Sequence, residues 1–167
     1  MAVFRSNGRF TQKSRRVAQV ILGDPFSFSL FMLMIPQQLF DQMVAHLQAC
    51  YPLEGCGLLA GNEAGRVTAV YPIHNILQSP TAYKMNPNQQ VEAMLAIEAT
   101  GQKLLAIYHS HPQGPEWPSP TDISQAFYPE AITVIVSLRQ QTAPVARAFQ
   151  IVEQTVVEQK MKVLKEM

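Results

Sequence analysis

The stretch LLAIYHSHPQGPEWPSPTD, residues 104–122, opens as an apolar run and closes on two histidines, four prolines, two serines and an aspartate. Leu104–Ser110 predicts a strand that runs straight into the histidines. Residues i and i+2 of a strand project from one face, so His109 and His111 present two imidazoles side by side, with Cα atoms about 6.6–6.8 Å apart. The turn Gln113–Pro118, stiffened by Pro112, Pro115 and Pro118, brings the chain back at little entropic cost. It delivers Asp122 as the candidate third ligand of a metal.

Working outward, Phe28–Ile35 is apolar enough for a strand. Pro36 fits the first helical position, and Leu39, Phe40, Met43, Val44 and Leu47 share one face of an amphipathic helix that ends before Pro52. Cys56–Ala60 reads as a short strand closed by Gly61-Asn62, with Arg66–Ile73 as its hairpin partner. Asn86-Pro87 offers a cap and a pre-set first turn to a second helix over residues 87–100, stopped by Gly101. Downstream, Ile132–Leu138 predicts a strand buried on both faces. Ala146–Val152 and Thr155–Val163 read as a final hairpin, although the second half is equally readable as a short charged helix. The order βαββαβαβ, then β or α, gives an α/β fold: a single domain with a central mixed sheet flanked by helices. Ligands of such sheets bind beyond the carboxyl ends of strands, and His109 and His111 lie at such an end.

The chain of 167 residues is 47% hydrophobic and 15% charged, which suits one domain with a substantial core. Its net charge of +1 is unevenly spread: Arg5, Arg9, Lys13, Arg15 and Arg16 against Asp24 give residues 1–30 a charge of +4, leaving −3 for residues 31–167. The globular part is therefore no basic nucleic-acid binder. Residues 1–29 read as a basic, disordered N-terminal extension and residues 30–167 as the folded domain. Ser14-Arg15-Arg16 before Val17–Leu22 resembles a twin-arginine export signal, but the apolar stretch is brief and no small-residue cleavage site follows cleanly. An upstream start codon is the other reading of this segment, since Met32 and Met34 stand where folded sequence begins. Leu30–Ile35 is far too short to cross a bilayer, so no membrane association is expected. Cys50 and Cys56 lack the spacing of a redox or zinc-knuckle motif, and a reduced, cytoplasmic setting is the simpler inference.

Two imidazole nitrogens and one carboxylate oxygen leave a fourth tetrahedral position open, the arrangement that separates catalytic from structural zinc. Such a metal lowers the pKa of its water to about 7, and a carboxylate outside the ligand set is then the natural proton carrier. A purely structural reading exists for part of the motif. Ser119-Pro120-Thr121-Asp122 forms a capping box unaided, with serine at the cap, proline at the first helical position and aspartate at the third. A cap alone, however, gives no reason for two histidines on one face to be followed by a rigid return to an acid. The cap and the metal can also coexist, the one holding Asp122 for the other.

The pattern His109-Ser110-His111-Pro112, six residues, Ser119, two residues, Asp122 resembles the signature of the JAMM/MPN+ metalloprotease family at every defining position. Tyr51-Pro52-Leu53-Glu54-Gly55-Cys56-Gly57-Leu58-Leu59-Ala60-Gly61 resembles the family's second motif, a glutamate between the first helix and a Cys-Gly-Leu-Leu strand. The resemblance spans residues 30 to 152. It implies the cytidine-deaminase-like JAMM/MPN architecture and one Zn2+ per chain on His109, His111 and Asp122. It further implies that Glu54 activates a zinc-bound water and that Ser119 hydrogen-bonds the oxyanion. From the residues alone, Glu54 is an ordinary acid after a turn.

Family members hydrolyse amide bonds that follow the C-terminal tail of ubiquitin or a ubiquitin-like protein. The compact prokaryotic type resembles enzymes acting on small β-grasp sulfur carriers, which release an amino acid such as cysteine. The expected partner is thus the tail of a ubiquitin-like or sulfur-carrier protein, bound extended along an edge strand, with a homodimer left open. A catalytically silent MPN-type scaffold, a RadC-like protein and a non-haem iron protein using the same facial triad are the alternatives. Ser110 is expected to face away from the histidines, as packing or support. Trp117 reads as exposed, serving substrate contact or loop packing. His46 and His74 read as structural or solvated, and Cys56 as a small core residue.

Overall fold

Pro36 fixes where the first strand becomes a helix. Its φ of −53° and ψ of 140° are extended, so it closes β1 (Leu33–Pro36), and helix α1 (Gln37–Cys50) begins one residue later. The locked φ suits either role, and ψ decides against the expected first helical position. The computed structural model describes residues 32–165. The readings made for the N-terminal extension, the export-signal resemblance and the first residues of the expected strand Phe28–Ile35 lie outside the described residues.

The described residues form a six-stranded mixed sheet in the order β3-β2-β4-β5-β6-β7 and a separate two-stranded pair, β1-β8. The hairpin β2 (Cys56–Gly61) and β3 (Val67–Ile73) closes through Asn62, whose side-chain oxygen accepts from the backbone of Ala64 and Arg66. Helix α2 (Pro87–Ala99) starts on Asn86, whose side chain accepts from Asn88 and Gln89, and stops before Gly101 at φ +67°. Next come β4 (Lys103–His111), the short helix α3 (Pro120–Ser124) and β5 (Ile132–Ser137). Strand β4 pairs antiparallel with β2 and parallel with β5, so the proline loop and α3 together make the crossover. Hence the chain leaves the carboxyl end of β4 through the segment His109–Asp122.

The end of the chain carries a correction. Thr155–Val163 is neither one strand nor a helix: β7 (Thr155–Gln159) pairs with β6 (Val145–Val152), then the chain breaks at Lys160. From there β8 (Met161–Leu164) departs to run parallel to β1, and Lys160 accepts a hydrogen bond from the Leu33 backbone. Alternation within 155–163 is the same in both segments, so periodicity alone could not locate the switch of partner.

Side chains alternate across the sheet. One face packs Leu59, Tyr108, Val134 and Val136 under α1 through Met43 and Leu47. The opposite face packs Cys56, Leu58 and Ile73 under α2 through Ala93 and Ile97, with Ile135 and Phe149 meeting Ile123 of α3. His109 alternates with Tyr108 and therefore belongs to the face covered by α2 and α3.

Candidate metal centre

His109 and His111 end β4 on one face, both buried, at 0% and 6% exposure. Their Nε2 atoms lie 3.2 Å apart. His111 Nδ1 lies 2.6 Å from the Pro115 carbonyl, which can only accept, so Nδ1 carries the proton and Nε2 presents a lone pair. The loop that supplies this carbonyl is tied down by Ser137, whose hydroxyl donates to the Gly114 carbonyl at 2.7 Å.

The expected capping box brings in the acid. Ser119 Oγ accepts from the Asp122 backbone at 3.2 Å, while the Asp122 carboxylate accepts from the Ser119 backbone and hydroxyl, both at 2.7 Å. So held, Asp122 Oδ1 stands 3.2 Å from His109 Nε2 and Oδ2 stands 3.2 Å from His111 Nε2. The three donor atoms fall within 4.8 Å of one another, the one such metal-capable group found among the described residues.

Lone pairs and a carboxylate converging in a buried place call for a positive charge between them. The titration behaviour agrees. Burial works against charge on His111, yet the Asp122 carboxylate and the Pro115 carbonyl outweigh it and raise its pKa. For His109 burial prevails and lowers it. Asp122 is held well below the usual carboxylate range in spite of burial, by the imidazoles whenever their Nε2 atoms carry a proton and by the Ser119 hydroxyl. The donor set, two imidazoles and one carboxylate, fits a divalent ion of the zinc type.

Glu54 comes from the other motif and is 4% exposed. Its loop is stitched to the histidine strand between the two rings: the Gly55 backbone donates to Ser110 Oγ at 2.9 Å and its carbonyl accepts from the Ser110 backbone at 3.0 Å. Ser110 is thus a support on the opposite face, as expected. Asn75 adds a second tie, donating to the Glu54 carbonyl at 3.0 Å and to the Ala82 carbonyl at 3.1 Å. Burial pushes the Glu54 carboxyl up to about 7, with His111 pulling it down and Asp122 adding to the rise. Glu54, His111 and Ser119 line one cavity of about 510 Å³. On the far side of Asp122 a second cavity of about 440 Å³ is bordered by Tyr83, Met85, Phe127 and Tyr128.

The remaining candidates stand apart from the cluster. His46 Nδ1 meets the Tyr108 hydroxyl at 3.0 Å and Nε2 meets Cys50 Sγ at 3.5 Å, on the α1 side. Cys56 is buried against Ile73, and His74 is exposed, its backbone donating to the Gln89 side chain. Trp117, 44% exposed, packs edge-on against Phe149 with the Arg147 guanidinium over its ring. Reading the residues overlooked Asn75, Ser137 and Tyr83, whose ring stacks on His109 at 4.7 Å. An asparagine or a tyrosine in a loop, or a serine at a strand end, carries no periodic or spacing signal, and only the fold shows what each one touches.

Comparison with known proteins points in one direction. A family profile described as prokaryotic homologs of the JAB domain matches residues 36–152. A CysO-cysteine peptidase of Mycobacterium tuberculosis is 34% identical over 139 residues, spanning 83% of this chain and 95% of that protein. A probable TtuB-protein conjugate cleaving protease of Thermus thermophilus is 44% identical over 105 residues, 62% of this chain and 70% of the relative. The solution structure of protein DSY2949 from Desulfitobacterium hafniense superposes with a TM-score of 0.74 at 33% identity, covering 81% of this chain and 95% of the other.

Proposed function

Since the chain belongs to the prokaryotic branch of the JAB domain family, we propose that it is a zinc-dependent peptidase of the JAMM type. Its substrate is the amide bond that follows the C-terminal tail of a ubiquitin-like or sulfur-carrier protein. The observation that carries this reading is the meeting of His109, His111 and Asp122 with a buried Glu54 beside them. His109, His111 and Asp122 would hold the ion. Bound there, zinc supplies Lewis acidity, making water acidic near neutral pH and polarising the scissile carbonyl.

Glu54 takes a proton from the attacking water and passes it to the departing nitrogen as the C–N bond breaks, which leaves the tail as a carboxylic acid and the partner as an amine. Burial raises this carboxyl in the metal-free protein, and a bound cation beside it would draw it back toward the ionised form that accepts the proton. Ser119 would turn its hydroxyl proton from Asp122 to the carbonyl oxygen as that atom gains charge, a role of the kind that contributes about 10²–10³ in rate. The tail itself has an edge to bind. Asn86 donates to His74 and Ile76 to Lys84, so antiparallel geometry turns the Met85 N–H and C=O away from residues 74–76. An extended peptide adds there by main-chain hydrogen bonds.

We assign the family domain to residues 30–167, a reading supported by the family profile's match to residues 36–152. The free thiols of Cys50 and Cys56 support a cytoplasmic setting, and no described helix is long and apolar enough to cross a membrane. The test is cleavage of a tail-linked β-grasp fusion by zinc-loaded protein. Loss of cleavage in Glu54→Gln with zinc still bound supports the reading. Bound iron with an oxidised product, or an intact substrate, overturns it.

A further inference from the structure

Resting on that hydrolase reading, we propose that Asn75 is a positioning residue for Glu54. One side-chain amide sets the direction of the proton carrier with its donor end and closes the neighbouring loop with its acceptor end.

The Glu54–Gly55 peptide is clamped from two sides. Its carbonyl accepts from Asn75 Nδ2 at 3.0 Å, and its N–H donates to Ser110 Oγ at 2.9 Å. One peptide earlier, the Glu54 N–H donates to the Ser79 carbonyl at 2.9 Å. With the peptides on both sides of its Cα held, Glu54 has neither backbone dihedral free, and its carboxylate leaves the chain in one direction. Ser110 belongs to the histidine strand, whereas Asn75 and Ser79 belong to the segment between β3 and α2. That segment therefore supplies two of the three bonds that aim Glu54.

The residue type at position 75 matches the task. Asn75 is buried, and both ends of its amide are fully used. Nδ2 donates to the Glu54 carbonyl and, at 3.1 Å, to the Ala82 carbonyl; Oδ1 accepts from the Leu77 N–H at 3.1 Å and the Lys84 N–H at 3.0 Å. Two carbonyls at one end and two N–H groups at the other fix which end is nitrogen. The loop so closed carries Pro80 and Thr81 on the cavity of Glu54, His111 and Ser119, and Tyr83 and Met85 on the cavity beyond Asp122. A proton carrier has to come within hydrogen-bond reach of the atoms it serves, and a misplacement of about 1 Å costs on the order of 10²-fold in rate. Losing the donor end should therefore act on turnover, and losing the acceptor end on the loop beside the substrate.

The test uses the zinc-loaded full chain, the tail-linked β-grasp fusion as substrate, and two substitutions that divide the amide. Asn75→Asp, assayed at pH 8, keeps an acceptor for Leu77 and Lys84 and removes the donor to Glu54; Asn75→Ala removes both. Each should lower kcat by roughly 10–100-fold, and the alanine variant alone should also raise KM. Zinc affinity should change by less than the roughly tenfold that follows loss of a ligand's own support. Amide hydrogen exchange, which needs no substrate, should quicken at Gly55 in both variants and at Leu77 and Lys84 in the alanine variant only. Should Asn75→Ala fail to fold, kcat and Gly55 exchange in Asn75→Asp decide. Asn62→Ala, which strips comparable side-chain bonds from the β2–β3 turn, should leave kcat and KM unchanged. A wild-type kcat or unchanged Gly55 exchange in Asn75→Asp overturns this proposal and leaves the hydrolase reading standing. So does a kcat loss that saturating zinc restores, or one found equally in Asn62→Ala. A fusion left uncut by the wild-type chain overturns the hydrolase reading and this proposal together.

Discussion

His109 Nε2 and His111 Nε2 face each other across 3.2 Å, and the two oxygens of Asp122 stand 3.2 Å from them. Left without a metal ion, this cluster relies on imidazole protons to separate its acceptor atoms in a buried space. Zinc should therefore bind tightly and stabilise the fold. At a free concentration 100 times its dissociation constant the gain is about 2.7 kcal/mol. Titration calorimetry and thermal melts with and without a chelator measure it. His111→Ala and Asp122→Asn should each abolish the zinc-dependent rise in Tm. An unchanged rise in both variants would place the ion elsewhere.

Glu54 gives the pH dependence. Its carboxyl is raised by burial to about 7, against an ordinary value of about 4.3 in the unfolded chain. A raised folded pKa means that the folded state holds the extra proton between those values, so Glu54 stabilises the metal-free fold below the unfolded pKa. That contribution is lost as pH rises through 7. Above it, the ionised carboxylate costs the metal-free protein roughly 1–3 kcal/mol, the range reflecting partial solvation of the group. Glu54→Gln should accordingly be more stable than wild type at pH 8 without metal, and no more stable at pH 4. Its activity should fall by about 10²–10⁴. Urea melts of both proteins at the two pH values decide this; a Gln variant no more stable at pH 8 would mean that the carboxylate is well solvated.

Much of this site was legible because its chemistry is local. Strand alternation sets His109 and His111 together, and the cap Ser119-Pro120-Thr121-Asp122 forms as its residue types require. Glu54 was not legible in that way. It stands 55 positions before His109 in sequence, and only strand pairing joins the two motifs, through Cys56 opposite His109 and Gly55 on Ser110. The motif resemblance supplied what periodicity could not. The exchange of sheet partners at Lys160 was equally hidden, since it depends on β1 at the other end of the chain.

Ser119 holds Asp122 twice over, by its hydroxyl and by its backbone N–H. Removing the hydroxyl while keeping the backbone donor should loosen Asp122 without freeing it. Ser119→Ala is expected to lower stability by about 1 kcal/mol through the lost cap and zinc affinity by about 10–100-fold through the lost support of a ligand. The turnover of zinc-saturated variant separates this positioning role from oxyanion contact. A remaining defect of about 10²–10³ in kcat belongs to the oxyanion, and restored turnover at saturating zinc would confine Ser119 to holding Asp122.

Gly57, in the middle of the Cys-Gly-Leu-Leu strand, should tolerate no side chain. A Cβ there would lie 2.4 Å from Cζ and Oη of Tyr108 and equally close to the Tyr71 carbonyl. Neither neighbour can give way. Tyr108 is wholly buried and its hydroxyl is tied to His46 at 3.0 Å, while the Tyr71 carbonyl belongs to the β3 backbone that pairs with β2. Gly57→Ala should therefore destabilise by roughly 2–4 kcal/mol. Gly101 offers the contrast, for it sits at φ +67° with open space where its Cβ would be. Gly101→Ala meets only the conformational penalty, about 1 kcal/mol. Chemical denaturation of the two variants should then separate overpacking from backbone strain: a midpoint for Gly57→Ala at or above that of Gly101→Ala would mean that β2 and β4 lie further apart than Tyr108 requires.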